Sequence, residues 1–587
     1  GARASPTRAA APGRCAVGTR LARAMTVASR RGHGGRGVRH ARTHVFAPLV
    51  RPEPAEGELP LVDPEELVLV DGELGPVLRP EPKDSDVARE AWYLRNILTA
   101  DVYDVAIESP LELTPRLSER IGANIYLKRE DLQPVFSFKL RGAYNKMKQL
   151  TEEERARGVI TSSAGNHAQG VALSGQKLGC KAIIAMPVTT PAIKVEAVRR
   201  LGGVVELVGE NYDATQAYAK KRSEEEGLTY IPPFDDPYVI AGQGTVGVEV
   251  LRQLPTAEIV FVPIGGGGLA AGMAAYIKAI RPEVKVIGVE PAGANAMAIS
   301  LSRGEIVKLS KVDGFADGVA VREPGRDCFE IIQNMIDGII TVKTDQIAAA
   351  IKDVFGDTRS ILEPAGAVAV AGAKAYCAAH GVTGNVVAVT SGANMNFDRL
   401  RVISEIADQG GKEEATLLSI IPEKNGEFKR FVETVGDINI SEFKYRVQGP
   451  DARVLYSIEV SDIQAVQDTM ARMQALGFKT VDLSNDATTQ FHLRHMTGGQ
   501  SKVPNERLYK VEIPERAGAL GNFLDFISPK WSISMTHYRN DGGRVGQVLF
   551  GVQVPEDERE DFEKCLDGCG YKHDDMSGNV AFKTLFG

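Results

Sequence analysis

The sequence predicts an α/β protein: two open, mostly parallel sheets over the first two thirds, then an α+β tail. From Ala91 to about Ser404, apolar β-branched runs alternate with alanine-rich helical segments, as in Ala182-Ile183-Ile184-Ala185-Met186-Pro187 and Val284-Lys285-Val286-Ile287-Gly288-Val289-Glu290. Alternation of this kind builds parallel strands joined by helical crossovers. Within that region two glycine-bearing turns lead from strand to helix, which puts a ligand cleft at the carboxyl ends of strands. After residue 416 the chain repeats itself, a pattern expected of a duplicated module.

Taken in order, the first segment is a leader. Residues 1–51 hold eleven arginines, no lysine and no acid. Without a continuous apolar stretch this reads as an organelle transit peptide rather than a secretory signal. The proline- and acid-rich Arg51 to Pro82 reads as linker. The expected organisation is transit peptide and linker over 1–85, an α/β domain over 86–406, a linker over 407–415, and two repeated subdomains over 416–499 and 505–587.

Beyond the leader, 58 basic residues face 76 acidic ones, so the body offers no case for nucleic-acid binding. The uncharged run Ile259 to Ile277 has nominal membrane-spanning length, but a proline and four glycines interrupt it. Six cysteines scattered along 587 residues do not form a disulfide framework. His492 and His495 have i, i+3 spacing that suits zinc, yet no acidic or cysteine partner follows at ligand spacing, and no metal is expected.

Four segments carry the chemistry. Ser137-Phe138-Lys139-Leu140-Arg141-Gly142-Ala143 places a lysine in a small, partly apolar setting, where desolvation makes its amine a nucleophile. In Thr161-Ser162-Ser163-Ala164-Gly165-Asn166-His167-Ala168-Gln169-Gly170, small hydroxyl residues lead from Val159-Ile160 into a helix start. Its backbone N–H groups suit a carboxylate or phosphate. Ile264-Gly265-Gly266-Gly267-Gly268-Leu269 lies between a strand and an alanine-rich helix, so the backbone approaches an anion closely. Thr390-Ser391-Gly392-Ala393-Asn394 follows later.

The tetraglycine lacks the spacing of a nucleotide P-loop. A dinucleotide fingerprint can be forced on Gly265 and Gly267, with Ala270 at the sixth position and Glu290 ending the next strand, which leaves a dehydrogenase as an alternative.

In this order the four segments resemble the fold-type II pyridoxal-phosphate enzymes, and most nearly the biosynthetic threonine deaminases of plant and algal chloroplasts. Further shared stretches are Tyr126-Leu127-Lys128-Arg129-Glu130-Asp131, Gly314-Phe315-Ala316-Asp317-Gly318-Val319 and Leu362-Glu363-Pro364-Ala365-Gly366-Ala367. The resemblance runs from about Tyr93 to the C-terminus.

The resemblance implies that Lys139 carries pyridoxal 5'-phosphate and later moves the substrate α-proton. It implies that Asn166 bonds the cofactor phenol oxygen, that Gly265, Gly266, Gly267, Gly268 and Leu269 bind the phosphate, and that Ser391 faces the ring nitrogen. A neutral hydroxyl does not hold that nitrogen protonated, so the ring is a weaker electron sink, which favours β-elimination over racemisation. Ser162, Ser163, Ala164, Gly165, Asn166 and His167 would clamp the substrate carboxylate. His167 is a further candidate proton donor.

The implied activity is conversion of L-threonine to 2-oxobutanoate and ammonia in the chloroplast, by a homotetramer under isoleucine inhibition that valine relieves. A serine-preferring dehydratase or racemase accounts for the catalytic half alone, and a non-catalytic amino-acid sensor is the third class.

In the tail, Ile421-Pro422-Glu423 aligns with Ile513-Pro514-Glu515, Gly426 with Gly518, Phe428 with Leu520, Phe431 with Phe523, and Tyr445-Arg446 with Tyr538-Arg539 after one inserted residue. Period-two alternation in Ile438 to Phe443 and Trp531 to Thr536 reads as strand, so each copy is expected to run strand, glycine turn, helix, strand. This resembles paired ACT-like subdomains. Tyr445 and Tyr538 are the expected effector contacts.

Overall fold

The computed structural model describes residues 59–585 except 82, 411–413, 423–426, 437, 439, 449–450, 461–462, 485, 487, 490–492, 494–503, 515–522, 524–525, 528–529, 532 and 540–544. For some strand and helix residues, Tyr445 and Tyr538 among them, only the backbone is described. The leader and the His492/His495 pair lie outside the described residues.

Two sheets form the expected α/β body. The larger has six strands in the order Gly338–Val342, Lys285–Pro291, Ile259–Pro263, Asn385–Val389, Asn124–Lys128, Leu111–Leu113. All pair in parallel except the last, which is antiparallel to its neighbour. The smaller has four parallel strands in the order Val204–Leu207, Ala182–Met186, Val159–Ser162, Thr229–Tyr230. Ala182–Met186, Ile259–Pro263 and Gly338–Val342 are buried at every residue. Strands covered by helices on both faces are unbroken apolar runs, not alternating ones.

The central helix Pro237–Gln253 starts where Asp236 Oδ1 accepts from the Tyr238 and Val239 amides, with proline at the first helical position. It packs against two neighbours through glycines. A Cβ on Gly242 would come within 2.8 Å of the Gly142 Cα in helix Lys139–Lys148, and a Cβ on Gly272 would strike the Ile240 carbonyl from helix Gly268–Ile280. Backbones this close tolerate no side chain. The helix that begins at Lys139 and the helix that follows the tetraglycine are thereby fixed to one support. The uncharged run Ile259 to Ile277 is a buried strand, loop and helix, and no described helix is long and apolar enough to cross a membrane.

Two segments read as linker are built into the fold. From Leu59 onward the chain is docked on the larger lobe. Leu61–Val62 pairs in parallel with Lys308–Leu309, the Gly75 amide donates to the Ile339 carbonyl at 2.6 Å, and the Leu78 amide donates to Leu301. Asn295 Nδ2 donates to the Pro64 carbonyl at 3.0 Å. The segment is held by backbone bonds and a few apolar anchors such as Val62, which leave no periodicity for a sequence reading to find. Farther on, helix Arg399–Gly410 and strand Glu414–Pro422 occupy most of 407–415.

The tail contains two four-stranded antiparallel sheets of matching topology. Their orders are Ile440–Gln448, Asp451–Glu459, Glu414–Pro422, Lys479–Asp482 and Ile533–Arg539, Val545–Gln553, Glu506–Pro514, His573–Asp575. Each copy is longer than the expected strand-helix-strand unit, because a further strand, helix and strand complete it. Phe431 and Phe523, aligned from sequence, occupy the cores on the helical faces of the two sheets. Leu418, Leu455, Leu508 and Leu549 form a shared core, so the two sheets pack on each other.

Candidate active site

Lys139 is the first residue of its helix and is partly buried. Its Nζ donates to the Pro233 carbonyl at 2.9 Å and lies 5.3 Å from the Phe138 ring centroid and 5.9 Å from that of Phe234. Burial lowers its pKa to about 8, against the opposing influence of Cys328 and Glu363.

Two residues on, Arg141 is fully buried and pairs with Glu130 at 2.8 Å and Glu249 at 2.6 Å, while Lys128 pairs with Glu249 at 2.6 Å. Two cations thus meet two carboxylates, a balanced set that burial tolerates. The shared stretch Tyr126 to Asp131 and the run around Lys139 are therefore two halves of one buried network, and it anchors the first turn of the lysine helix.

Phe234 borders both the amine and the glycine loop. A Cβ at Gly266 would enter the Phe234 ring, and one at Gly268 would come within 3.0 Å of the Phe234 carbonyl. Gly267 has φ +102, and a Cβ there would come within 2.8 Å of the Cys328 Cβ. Glycine is thus enforced by packing as well as by any ligand. Leu269 follows in the first turn of helix Gly268–Ile280. Burial pushes the Cys328 thiol well above its ordinary pKa.

Asn166 opens helix Asn166–Leu178 of the smaller lobe and is held by two groups of the larger lobe. Its Nδ2 donates to Glu363 Oε1 at 2.6 Å, and its Oδ1 accepts from Asn394 Nδ2 at 2.7 Å. Burial, then Asp317, pushes Glu363 up to about 8, while Asn166, Lys194 and Arg399 act in the opposite direction. Ser391 is buried, its hydroxyl donates to the Ala365 carbonyl at 3.2 Å, and its own carbonyl accepts from the Phe138 amide beside Lys139.

In the Ser162 to His167 loop the placements diverge. The Ser162 hydroxyl bonds the Tyr230 hydroxyl at 2.8 Å inside the smaller lobe. The Ser163 hydroxyl accepts from the Gly165 amide at 3.3 Å, Ala164 is buried, and a Cβ on Gly165 would meet open space. His167 is not placed as a proton donor. Burial, then the charge of Lys139, lowers its pKa to about 3, so the ring is neutral. Because the Ile231 carbonyl only accepts, Nε2 carries the hydrogen at 3.0 Å, and Nδ1 is a buried acceptor without a partner.

Glu290 is excluded as a ribose ligand: both carboxylate oxygens accept backbone amides, from Met297 at 3.0 Å and Ala298 at 2.8 Å. Among the described residues no His, Cys, Asp and Glu cluster suits a metal ion, and Cys180, Cys328, Cys377, Cys565 and Cys569 are free thiols.

Sequence reasoning missed Glu363, Asn394, Phe234 and the Pro233 carbonyl. Glu363 and Asn394 stand inside stretches already quoted, but nothing in their spacing ties them to Asn166. Phe234 follows a proline pair in a loop, with no pattern at all.

Residues 102–392 match the pyridoxal-phosphate-dependent enzyme family, and residues 405–493 and 497–586 each match the C-terminal regulatory domain of threonine dehydratase. The chain is 54% identical to the biosynthetic, chloroplastic threonine dehydratase of Arabidopsis thaliana, over 91% of both proteins. The chain belongs to the threonine dehydratase family. It is also 46% identical to the biosynthetic L-threonine dehydratase of Escherichia coli, covering 84% of this chain and 96% of that one. The solved structure of the processed form of threonine deaminase isoform 2 from Solanum lycopersicum matches with TM-score 0.59 and 53% identity, over 61% of this chain and 99% of that chain.

The family uses pyridoxal phosphate, and the residues present fit it: an amine of lowered pKa, a glycine loop closed to side chains, and an amide oriented by two partners.

Proposed function

We propose that this chain converts L-threonine to 2-oxobutanoate and ammonia, the first committed step toward isoleucine. Lys139 carries the reading: a lysine whose pKa is brought down to about 8, so that part of its amine is neutral just above neutral pH, set beside a glycine loop, in a chain with a duplicated regulatory module.

Pyridoxal phosphate, when bound, supplies the sink for the electron pair left at Cα. Lys139 would hold it, and the freed Nζ, neutral in part at pH 7 to 8, would take the substrate α-proton. Glu363 and Asn394 fix the Asn166 amide and leave its second Nδ2 hydrogen for the phenol oxygen. Gly265 to Gly268 and Leu269 would offer backbone amides to the phosphate. The Ser391 hydroxyl would face the ring nitrogen without holding it protonated. Ser163, Ala164, Gly165 and Asn166 would hold the substrate carboxylate. Ser162 and the His167 ring support this loop from within the lobe.

The tail would take isoleucine as inhibitor and valine as its antagonist, with Tyr445 and Tyr538 as contacts. Both stand at one register position of the repeat: Tyr445 faces Val454, itself opposite Ser419, and Tyr538 faces Val548, itself opposite Val511. The assembly would be a homotetramer in the chloroplast, in line with the arginine-rich leader and the chloroplastic relatives.

The test is 2-oxobutanoate release from L-threonine by the cofactor-loaded chain, with and without L-isoleucine, beside Lys139→Ala. Turnover lost in Lys139→Ala and suppressed by isoleucine is expected; turnover in that variant, or faster turnover of L-serine, would overturn the reading.

A further inference from the structure

The smaller lobe contributes Asn166 to the site while its partners Glu363 and Asn394 come from the larger lobe, so the site is complete only when the lobes are held together. Beside that junction an ion pair spans the cleft. Lys194, on helix Ala192–Arg200 of the smaller lobe, places Nζ 3.0 Å from Asp317 Oδ2, on the Gly314 to Val319 loop of the larger lobe. Arg399 also holds that loop, with Nη1 3.8 Å from Asp317 Oδ1 and Nη2 donating to the Phe315 carbonyl at 2.8 Å.

The loop is also in direct register with the site. A Cβ on Gly318, next to Asp317, would come within 2.8 Å of the Ala365 Cβ, 3.6 Å of Glu363 Oε1 and 3.9 Å of Asn166 Nδ2. Any displacement of Asp317 is therefore felt where Asn166 meets Glu363. Lys194 and Asp317 are each only partly exposed, at 21% and 27% of the side chain, so solvent screens the pair less than a surface one.

We propose that Lys194 is a positioning residue: its ion pair with Asp317 latches the smaller lobe over the larger and thereby holds the Asn166 amide on Glu363. This rests on the dehydratase reading for its kinetic consequence alone. The bond itself is a property of the fold. Lys194 has a hydrophobic stem, so Lys194→Met removes the charge and keeps most of the volume.

In the full-length, cofactor-loaded chain, Lys194→Met is expected to lower kcat/KM for L-threonine roughly fivefold, chiefly through KM, with the thermal midpoint little changed. Backbone hydrogen exchange of 192–200 and of 314–319 should quicken together, in the absence of substrate. Lys194→Arg should restore most of both effects, and Lys194→Met combined with Asp317→Asn should be no worse than the poorer single variant.

Unchanged exchange at 314–319 in Lys194→Met, or additive losses in the double variant, would overturn the latch. Failure of the parent chain to turn over threonine would count against the dehydratase reading, and exchange would still decide the latch.

Discussion

At Lys139 the reactive group is made by its surroundings. A lysine in water holds its proton to near pH 10.4, whereas burial brings this one to about 8. The shift favours the neutral amine, so nucleophilic Lys139 accumulates as pH rises through 8. Capture of pyridoxal phosphate by the cofactor-free protein, followed by absorbance, should therefore accelerate with pH and level off above an apparent midpoint near 8. A midpoint near 10 would mean that the amine is solvated before the cofactor arrives.

Lys139, Asn166, the four glycines and Ser391 stand out in the sequence as candidates because each sits in a short run of unusual composition. Glu363 was not, because its role comes from a carboxylate in the larger lobe meeting an amide about 200 residues away, and no local pattern encodes that meeting. For His167 the sequence leaves a proton donor and a positional residue open, and only the Ile231 carbonyl and the degree of burial decide that its ring is neutral.

Among the elements, the alternation of β-branched strands with alanine-rich helices predicted both sheets, since parallel strands covered on both sides need such runs. The glycines that bring helices Lys139–Lys148 and Gly268–Ile280 onto Pro237–Gln253 were not legible as packing residues, because each contact pairs glycines from separate helices. The segment 59–81 was misread outright. It looks like linker because it is rich in proline and acid, yet it bonds the edge strand Gly338–Val342 through Gly75 and fills a site beside Ala296 and Ile299 with Val62.

Removing this segment exposes a strand edge and leaves buried carbonyls without donors. A chain starting at residue 86 should unfold below one starting at Leu59, by on the order of 3 kcal/mol from the lost bonds, and should aggregate sooner on heating. Equal thermal midpoints for the two chains would show that the segment rests on the lobe without supporting it.

On the scale of the whole molecule, the repeat in the tail is exact to the register although the two copies share few residues. Both carry a bulge at the same place, between Ile440 and Glu442 and between Ile533 and Met535, and Tyr445 and Tyr538 fall three residues beyond it. The sequence alignment found this because strand edges and core aromatics such as Phe431 and Phe523 are constrained by packing. It stopped short of the last strand-helix-strand of each copy, where the residues in common are too few.

The shared core between the sheets makes the module one cooperative piece. Cutting near residue 504 would leave Leu418 and Leu455 facing water, so that fragment should be poorly soluble. The cut that respects the fold falls after Gly410, because helix Arg399–Gly410 buries Ile403 and Ala407 in the core of the larger lobe. The chain ending at residue 410 should therefore keep threonine elimination, lose inhibition by isoleucine and lose any effect of valine, as coupling between two sites requires both to be present. Assaying it over a range of isoleucine concentrations beside the full chain decides the matter. Inhibition that survives the cut would move the effector site into the catalytic body and leave the duplicated sheets a role in assembly alone.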